Sequence, residues 1–486
     1  MMRSLFSGVS GLKSHQTRMD VIGNNIANVN TVGFKSSRVT FADTLYQTQT
    51  GAAAPTNTVG GTNPKQIGLG VGVASIDLLF TDASTQATGK NTDLALSGNG
   101  LFVVSTDKGG KDKYYTRAGA FSFDANYNYV VPGSGHHVVG WNADENGSID
   151  TKSTPTGIQI KDAMRSMGAK ATTKITYKGN MNSSVPTITE ITNQTGHAVA
   201  SPAVVDGTTN EYLTLKLSDG TTQTITAKGN YPYRKGYSMP ITTIANVYDS
   251  LGNLHKVPFL FTKAPDGTFP LGQDKWEVAL APGKPSDAYG SCTIKEEDGS
   301  ETSVTMSIET LQFDQNGKFK TGSGTPTLTL KNGAGSSAGN TMTATVELSN
   351  LTQYSGSDTI KADYDGNAAG TLKEVNVDQS GILTGTYTNG EKRALAQVAV
   401  AQFDNAQGLT KKGANLYTES NNSGTANIKT VSALGLTLTP SALEMSNVDV
   451  ANEFADMVVT QRGFQSNSKI ITVGDEMLET VINMKR

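Results

Sequence analysis

The two ends of the chain carry apolar residues at helical spacing. Leu5, Val9, Leu12, Met19, Ile22, Ile26 and Val29 form one stripe, in which Leu5, Leu12, Met19 and Ile26 are seven apart. Val450, Met457, Phe464, Ile471 and Leu478 form the other, again by sevens, widened by Phe454, Val458, Val481 and Ile482. The spacing predicts amphipathic helices over residues 5–29 and 450–482, about 37 and 50 Å long. They can pack on the chain's own core or on copies of it. His15 and Gln16 interrupt the first seam, Gln461 and Ser468 the second. A seam that mixes polar with apolar residues is marginal alone and gains order from a partner.

Between the helices the period changes. Asn28 to Gly33 ends the first helix, and residues 39–46 fit a short helix or a strand. Residues 51–64 read as a linker or a loop that orders on assembly. From Val71 the pattern alternates, with Ala74, Ile76, Leu78 and Phe80 as the expected apolar face. Ser97-Gly98-Asn99-Gly100 is a hairpin signal between residues 94–96 and 101–104. Short strands follow at 114–116, 120–123, 129–131 and 138–141, with a turn at Asp124–Asn128. A second β region runs from about residue 157 to 364. In it, Asp249–Asn253 joins two strands, and residues 183–229 and 317–339 look like elaborations, the latter ending in a Gly/Ser-rich loop. Strands return at 375–377, 381–387 and 397–403, with Asn389-Gly390 as a hairpin turn. Ser446 with Asp449 resembles a capping box for the last helix. The fold expected is mainly β and multidomain, with terminal α-helices paired into a coiled-coil-like inner domain and β domains nested between them. Its expected parts are 1–33 with 441–486 as the helical assembly domain, 34–72 as a linker, 73–145 with 366–440 as an inner β domain, and 146–365 as one outer β domain or several.

Composition narrows the function. Charged residues are 17% and Gly numbers 52 of 486, which suits turn-rich β domains. With a net charge of -3, nothing argues for nucleic acid or an anionic membrane as partner, and neither is expected. No apolar run reaches signal-peptide or membrane-span length, so no membrane insertion is expected, and the protein is either cytoplasmic or exported without a cleaved leader; low cysteine and Gly/Thr/Asn richness favour export. The five histidines lack zinc spacing, so no metal is expected. Gly68-Leu69-Gly70-Val71-Gly72 lacks the strand and helix of a phosphate loop. Asp124/Asn126/Asn128 and Asn142/Asp144/Asn146 mimic half a calcium loop but lack the closing Glu, and read as turns. No catalytic constellation or cofactor site emerges, and an enzyme is not expected. The single cysteine, Cys292, reads as a small strand residue or as a crosslink between copies.

Ser7-Gly8-Val9-Ser10-Gly11-Leu12 and Asn24-Asn25-Ile26-Ala27-Asn28-Val29-Asn30-Thr31-Val32-Gly33-Phe34-Lys35 resemble the N-terminal signature of bacterial flagellar rod and hook proteins. Residues 442–449 and 461–469 resemble the matching C-terminal end. Residues 97–102 and 115–121 resemble the shared inner β domain, and 247–255 an outer motif of the hook type. The resemblance implies a subunit that self-assembles into a short curved tube, a universal joint between rotary motor and filament. Its implied partners are copies of itself, the distal rod, the hook cap, the hook–filament junction proteins and the flagellar export apparatus. Its implied location is the basal body and hook, outside the cell. The apolar stripe residues of both ends would be the self-assembly contacts. A distal-rod-type protein, forming a straight tube, is the alternative within the family. A secreted adhesin or glycan-binding β protein is the alternative outside it.

Overall fold

The computed structural model describes residues 2–205, 212–226, 229–265, 275–284, 286–296, 299, 301–322, 325–331 and 341–484. The Gly/Ser-rich loop expected near 333–339 lies outside them. The chain divides into two units, Met1–Arg165 with Leu372–Thr386 and Lys392–Arg486, and Ser166–Thr371 with Tyr387–Glu391. The first unit extends past the expected limit at residue 145. Its strand Thr156–Gly157 pairs with His137–Asn142, and Ile158, Ile160 and Met164 fill its core.

The first unit interleaves both halves of the chain. Strands Lys392–Val398, His137–Asn142, Leu101–Ser105, Lys113–Thr116 and Leu416–Thr418 lie side by side in that order. Successive side chains of Leu101–Ser105 point to opposite faces, and both faces are buried. Phe102 and Val104 join Leu94, Phe121, Tyr129, Val138, Val398 and Leu438. Leu101 and Val103 join Tyr115, Val139, Ala401, Phe403 and Tyr417.

Three local expectations change. Residues 97–100 do turn, with Gly98 at φ 93, but the flanking strands do not form a hairpin. Leu94–Ser97 pairs instead with Thr437–Pro440, which ties the C-terminal segment into the unit. Residues 34–72, expected as a linker, carry two antiparallel ribbons. Ser37–Asp43 pairs with Val71–Leu78, and Tyr46–Thr50 with Lys65–Gly68. Residues 51–64 are exposed throughout. The expected apolar face of Val71–Leu78 is mostly uncovered: Ile76 is 50% exposed, and Leu78 alone of that strand reaches the core. The strand belongs to a two-stranded ribbon, which has no second sheet layer of its own to pack on.

The second unit is a two-layer β structure. One sheet orders Ile241–Tyr248, Leu254–Lys263, Lys275–Leu280, Glu309–Phe313 and Phe319–Gly322. The other contains Ser291–Lys295, Glu301–Thr305, Thr327–Lys331, Thr341–Tyr354, Lys174–Asn182 and Lys361–Tyr364. Val247, Phe259, Phe261 and Trp276 from the first share one core with Tyr177, Val304, Leu328 and Val346 from the second. The Asp249–Asn253 turn forms as expected. The Asp249 carboxylate accepts from the backbone N–H of Leu251 at 2.9 Å and of Asn253 at 2.8 Å. Within the expected elaboration, Ile188, Ile191, Ala203, Val205, Leu213, Leu215 and Leu217 close a small core of their own.

Cys292 is 2% exposed in the large core. Burial, with Asp287 nearby, pushes its thiol up to about 11. A crosslink to another copy would require that strand to open, so the structural reading replaces the crosslink. The native protein at about pH 8 should therefore resist alkylation by iodoacetamide and react fully once denatured, as read by mass spectrometry. Rapid native labelling would contradict this burial.

Candidate assembly interface

The helices form where expected, at Met2–Ala27 and Val450–Asn483. Asp449 caps the second: its carboxylate accepts from Ala451 N–H at 2.9 Å and Asn452 N–H at 3.3 Å, an arrangement worth about 1 kcal/mol. The cap therefore falls three residues beyond the expected Ser446. Residues before it are extended, with Ala442–Glu444 paired to Thr85–Ala87.

The helices run antiparallel in a fixed register. Asn25 donates to the Glu453 carboxylate at 2.9 Å, and Arg18 pairs with Asp456 at 3.1 Å. A Cβ added at Gly463 would lie 2.6 Å from the His15 ring, one at Gly11 2.8 Å from Asn467, and one at Gly474 2.5 Å from Leu5. Each close approach thus depends on a glycine facing a larger side chain. The seam on the C-terminal helix alternates two kinds of residue. Met457, Phe464, Ile471 and Leu478 are half-buried, and Glu453, Thr460, Asn467 and Gly474 stand between them. Thr460 and Gly474 are the helix's buried residues. On the first helix, Gly8, Gly11, His15, Arg18, Ile22 and Asn25 lie along the seam.

The expected stripe residues are thereby sorted. Ile22 is 4% exposed, and Leu5, Leu12, Met19, Ile26 and Val29 are half-buried. Val9 is 50% exposed, Val450 37% and Phe454 51%. Phe6, Val458, Val459, Ile470, Val473, Met477, Val481 and Ile482 are also exposed. The periodicity placed the helices, and the glycines that set the register carried no apolar signal.

A second feature was missed in the sequence. Lys35, Arg117 and Glu444 come from three distant segments and are 0%, 2% and 1% exposed. The Lys35 ammonium lies 2.8 Å from Glu444 Oε1, and Arg117 Nε donates to Glu444 Oε2. Ala83 N–H also donates to Oε1, at 3.0 Å. Arg117 further donates to the carbonyls of Leu96, Gly98 and Gly100 and pairs with Asp82 at 2.8 Å. Burial pulls the Lys35 ammonium below the ordinary lysine value, and Glu444 beside it pulls it back up. Around this cluster, Gly33 N–H donates to Glu444 O at 2.8 Å and Ser36 N–H to Asn447 Oδ1 at 2.8 Å. Asn25, 1% exposed, closes the chain on itself by bonding both backbone groups of Ser37. Gly33 has φ 66, and a Cβ there would lie 2.6 Å from Ala118 N. These residues stand in the very motifs that carry the family resemblance; isolated charges in sequence gave no sign that they meet.

The remaining candidates for chemistry resolve into structure. Asp124 and Asp144 hold turns, accepting backbone N–H groups of Asn126 and Asn128, and of Asn146 and Ser148. His136 packs edge-on against Tyr114. Gly70 abuts the N-terminal helix, where a Cβ would lie 2.1 Å from Ser10 Oγ. Among the described residues no group of His, Cys, Asp and Glu is placed to hold a metal ion, and no described helix is long and apolar enough to cross a membrane.

Paired terminal helices, a clasp joining both ends to a β unit, and these structural turns are the features of a structural subunit. The comparisons specify which kind. Residues 5–35 match the flagella basal body rod protein family, 95–182 the flagellar hook protein FlgE/F/G D1 domain, 235–367 the flagellar basal body protein FlaE D2 domain, and 439–484 the flagellar basal body rod FlgEFG protein C-terminal family. The chain is 36% identical to the flagellar hook protein FlgE of Treponema pallidum, with all of both chains covered. The same identity and coverage hold for FlgE of Borreliella burgdorferi. Flagellar basal-body rod protein FlgG of Bacillus subtilis is 29% identical, again over the whole of both chains. The chain belongs to the flagellar hook and rod family of axial structural proteins.

The seam contains one group that titrates near neutral pH. Burial and the Arg18 guanidinium lower His15 below the ordinary imidazole value, and its Nδ1 has no hydrogen-bond partner. The imidazole binds a proton more readily when the helices are apart. Pairing is therefore favoured above about pH 6.5 and weakens as pH falls through the depressed His15 value. Glu453, raised by burial, contributes with the opposite sign. Spin labels at positions 13 and 469 should report a broader distance distribution at about pH 5.5 than at pH 7.5, and His15→Gln should abolish most of the difference. An unchanged pH response in His15→Gln would assign it elsewhere.

Proposed function

We propose that the chain is a subunit of the flagellar hook. It assembles through its terminal helices into a curved, flexible tube that joins the motor rod to the filament. Its neighbours are other copies, with the distal rod below, the hook cap during growth and the hook–filament junction proteins above. It leaves the cell through the flagellar export apparatus without a cleaved signal peptide, as the family resemblance implies.

The C-terminal helix supports this reading most directly. It has 34 residues, its buried residues are a Thr and a Gly, and it exposes Phe454, Val458, Val459, Ile470, Val473 and Met477. A helix so little buried gains little from one partner, and exposed apolar surface of this kind marks an interaction site. The exposed set, with Val9 and Val450, is assigned to contacts between copies. The half-buried set, from Leu5 to Ile26 and Met457 to Leu478, is assigned first to the pair within one chain. Full-length similarity to named hook proteins favours the hook over the rod. Similarity to a rod protein keeps a straight rod-type tube as the second reading.

Phe454→Asp with Val458→Asp should raise the concentration needed for polymerisation about tenfold or more, measured by sedimentation. The far-ultraviolet circular dichroism of the monomer should stay unchanged, because both side chains are exposed there. Normal polymerisation of this variant would sink the assignment.

A further inference from the structure

The charge cluster imposes an order on the docking of the two ends. We propose that the N-terminal segment can dock on the β unit only after the C-terminal segment has placed Glu444, whereas the C-terminal segment can dock first. Among the contacts described, Glu444 is the one carboxylate that touches Lys35, and the remaining partner of the Lys35 ammonium is the Thr81 carbonyl at 2.6 Å. Without Glu444, docking residues 33–37 would bury an ammonium beside the like-charged Arg117, with the nearby Asp82 carboxylate already paired to that Arg117. Such an unpaired buried charge lowers the docked population by about a hundredfold or more.

The reverse case differs. Without Lys35, Glu444 keeps Arg117 and the Ala83 N–H. Arg117 itself keeps Asp82 and three carbonyls whichever end is absent. The cluster is therefore asymmetric: one end depends on the other, and the dependence is not mutual. Apart from the Ser37–Asp43 ladder and Lys411 over the Phe34 ring at 4.6 Å, the contacts that hold residues 32–36 to the β unit directly are few. Asn415 donates to Val32 O at 2.8 Å, Lys411 to Lys35 O at 3.0 Å, and Leu79 N–H to Ser36 O at 2.9 Å. Other bonds in the same stretch, from Gly33 to Glu444 and from Ser36 to Asn447, also wait for the C-terminal segment. This device deepens the assembly reading but does not require a hook in particular.

Amide hydrogen exchange on the full-length chain tests the asymmetry. In Glu444→Gln, amides of residues 33–37 should exchange about a hundredfold faster than in the wild type. In Lys35→Met, residues 442–449 should keep their protection within about threefold. The double variant Lys35→Met with Glu444→Gln should recover protection at 33–37 relative to Glu444→Gln, because the ammonium that forbids docking is gone. The strand Leu101–Ser105 serves as an internal control for the β unit. If Glu444→Gln also unfolds that strand, the double variant decides: recovery supports the proposal and its absence overturns it. Equal loss at 442–449 in Lys35→Met, or unchanged protection at 33–37 in Glu444→Gln, would overturn it outright. None of these outcomes depends on whether the polymer is curved, straight or absent.

Discussion

Glu444 sits where three parts of the chain meet, and a buried carboxylate tolerates little variation in its surroundings. Two charges taken from water cost several kcal/mol each, and their attraction repays this only with good geometry and full hydrogen bonding. Here the geometry is complete, since both carboxylate oxygens are shared between Lys35, Arg117 and a backbone N–H. Such a cluster adds little net stability over apolar packing of the same volume. Its consequence is selectivity: only Lys35, only Arg117 and only this strand satisfy one another. Stability comes from the clusters around Phe102 and Phe121 and around Phe259 and Trp276, which are conventional β cores.

The clasp also fixes where the helices start. Gly33 turns the chain against Ala118, Asn25 ties the first helix to Ser37, and Asp449 begins the second helix five residues after Glu444. The helices are then held at their roots and paired through glycines, Asn467 and His15, with Ile22 the large apolar side chain most fully enclosed on the first of them. The exposed Arg18–Asp456 pair contributes at most about 1 kcal/mol. A pair anchored so firmly at one end and packed so thinly along its length is suited to completion by neighbours. That combination connects the chemistry of one buried carboxylate to assembly.

Much of this was legible in the sequence. Seven-residue spacing located both helices to within a few residues, and Asp/Asn/Gly turns located the strands joined at 249–253 and 387–392. The errors share a cause. Period and turn chemistry describe neighbours in sequence, whereas Leu94–Ser97 pairs with a strand more than three hundred residues later. The strand Val71–Leu78 has a correct alternation but no sheet to cover its apolar face. Residues 34–72 looked like a linker because exposed ribbons and loops share a polar, Gly-rich composition. Lys35, Arg117 and Glu444 lie within the motifs of the family resemblance, yet nothing about a lone charge in sequence reveals that it is buried. The stripe was read as one surface, but its two sets of residues meet different surroundings.

The most direct test is electron cryomicroscopy of polymers grown from the purified chain. Curved tubes are expected, in which Phe454, Val458, Val473 and Met477 are enclosed between the terminal helices of neighbouring copies. Polymers in which those side chains face solvent, or tubes built without the terminal helices, would contradict this.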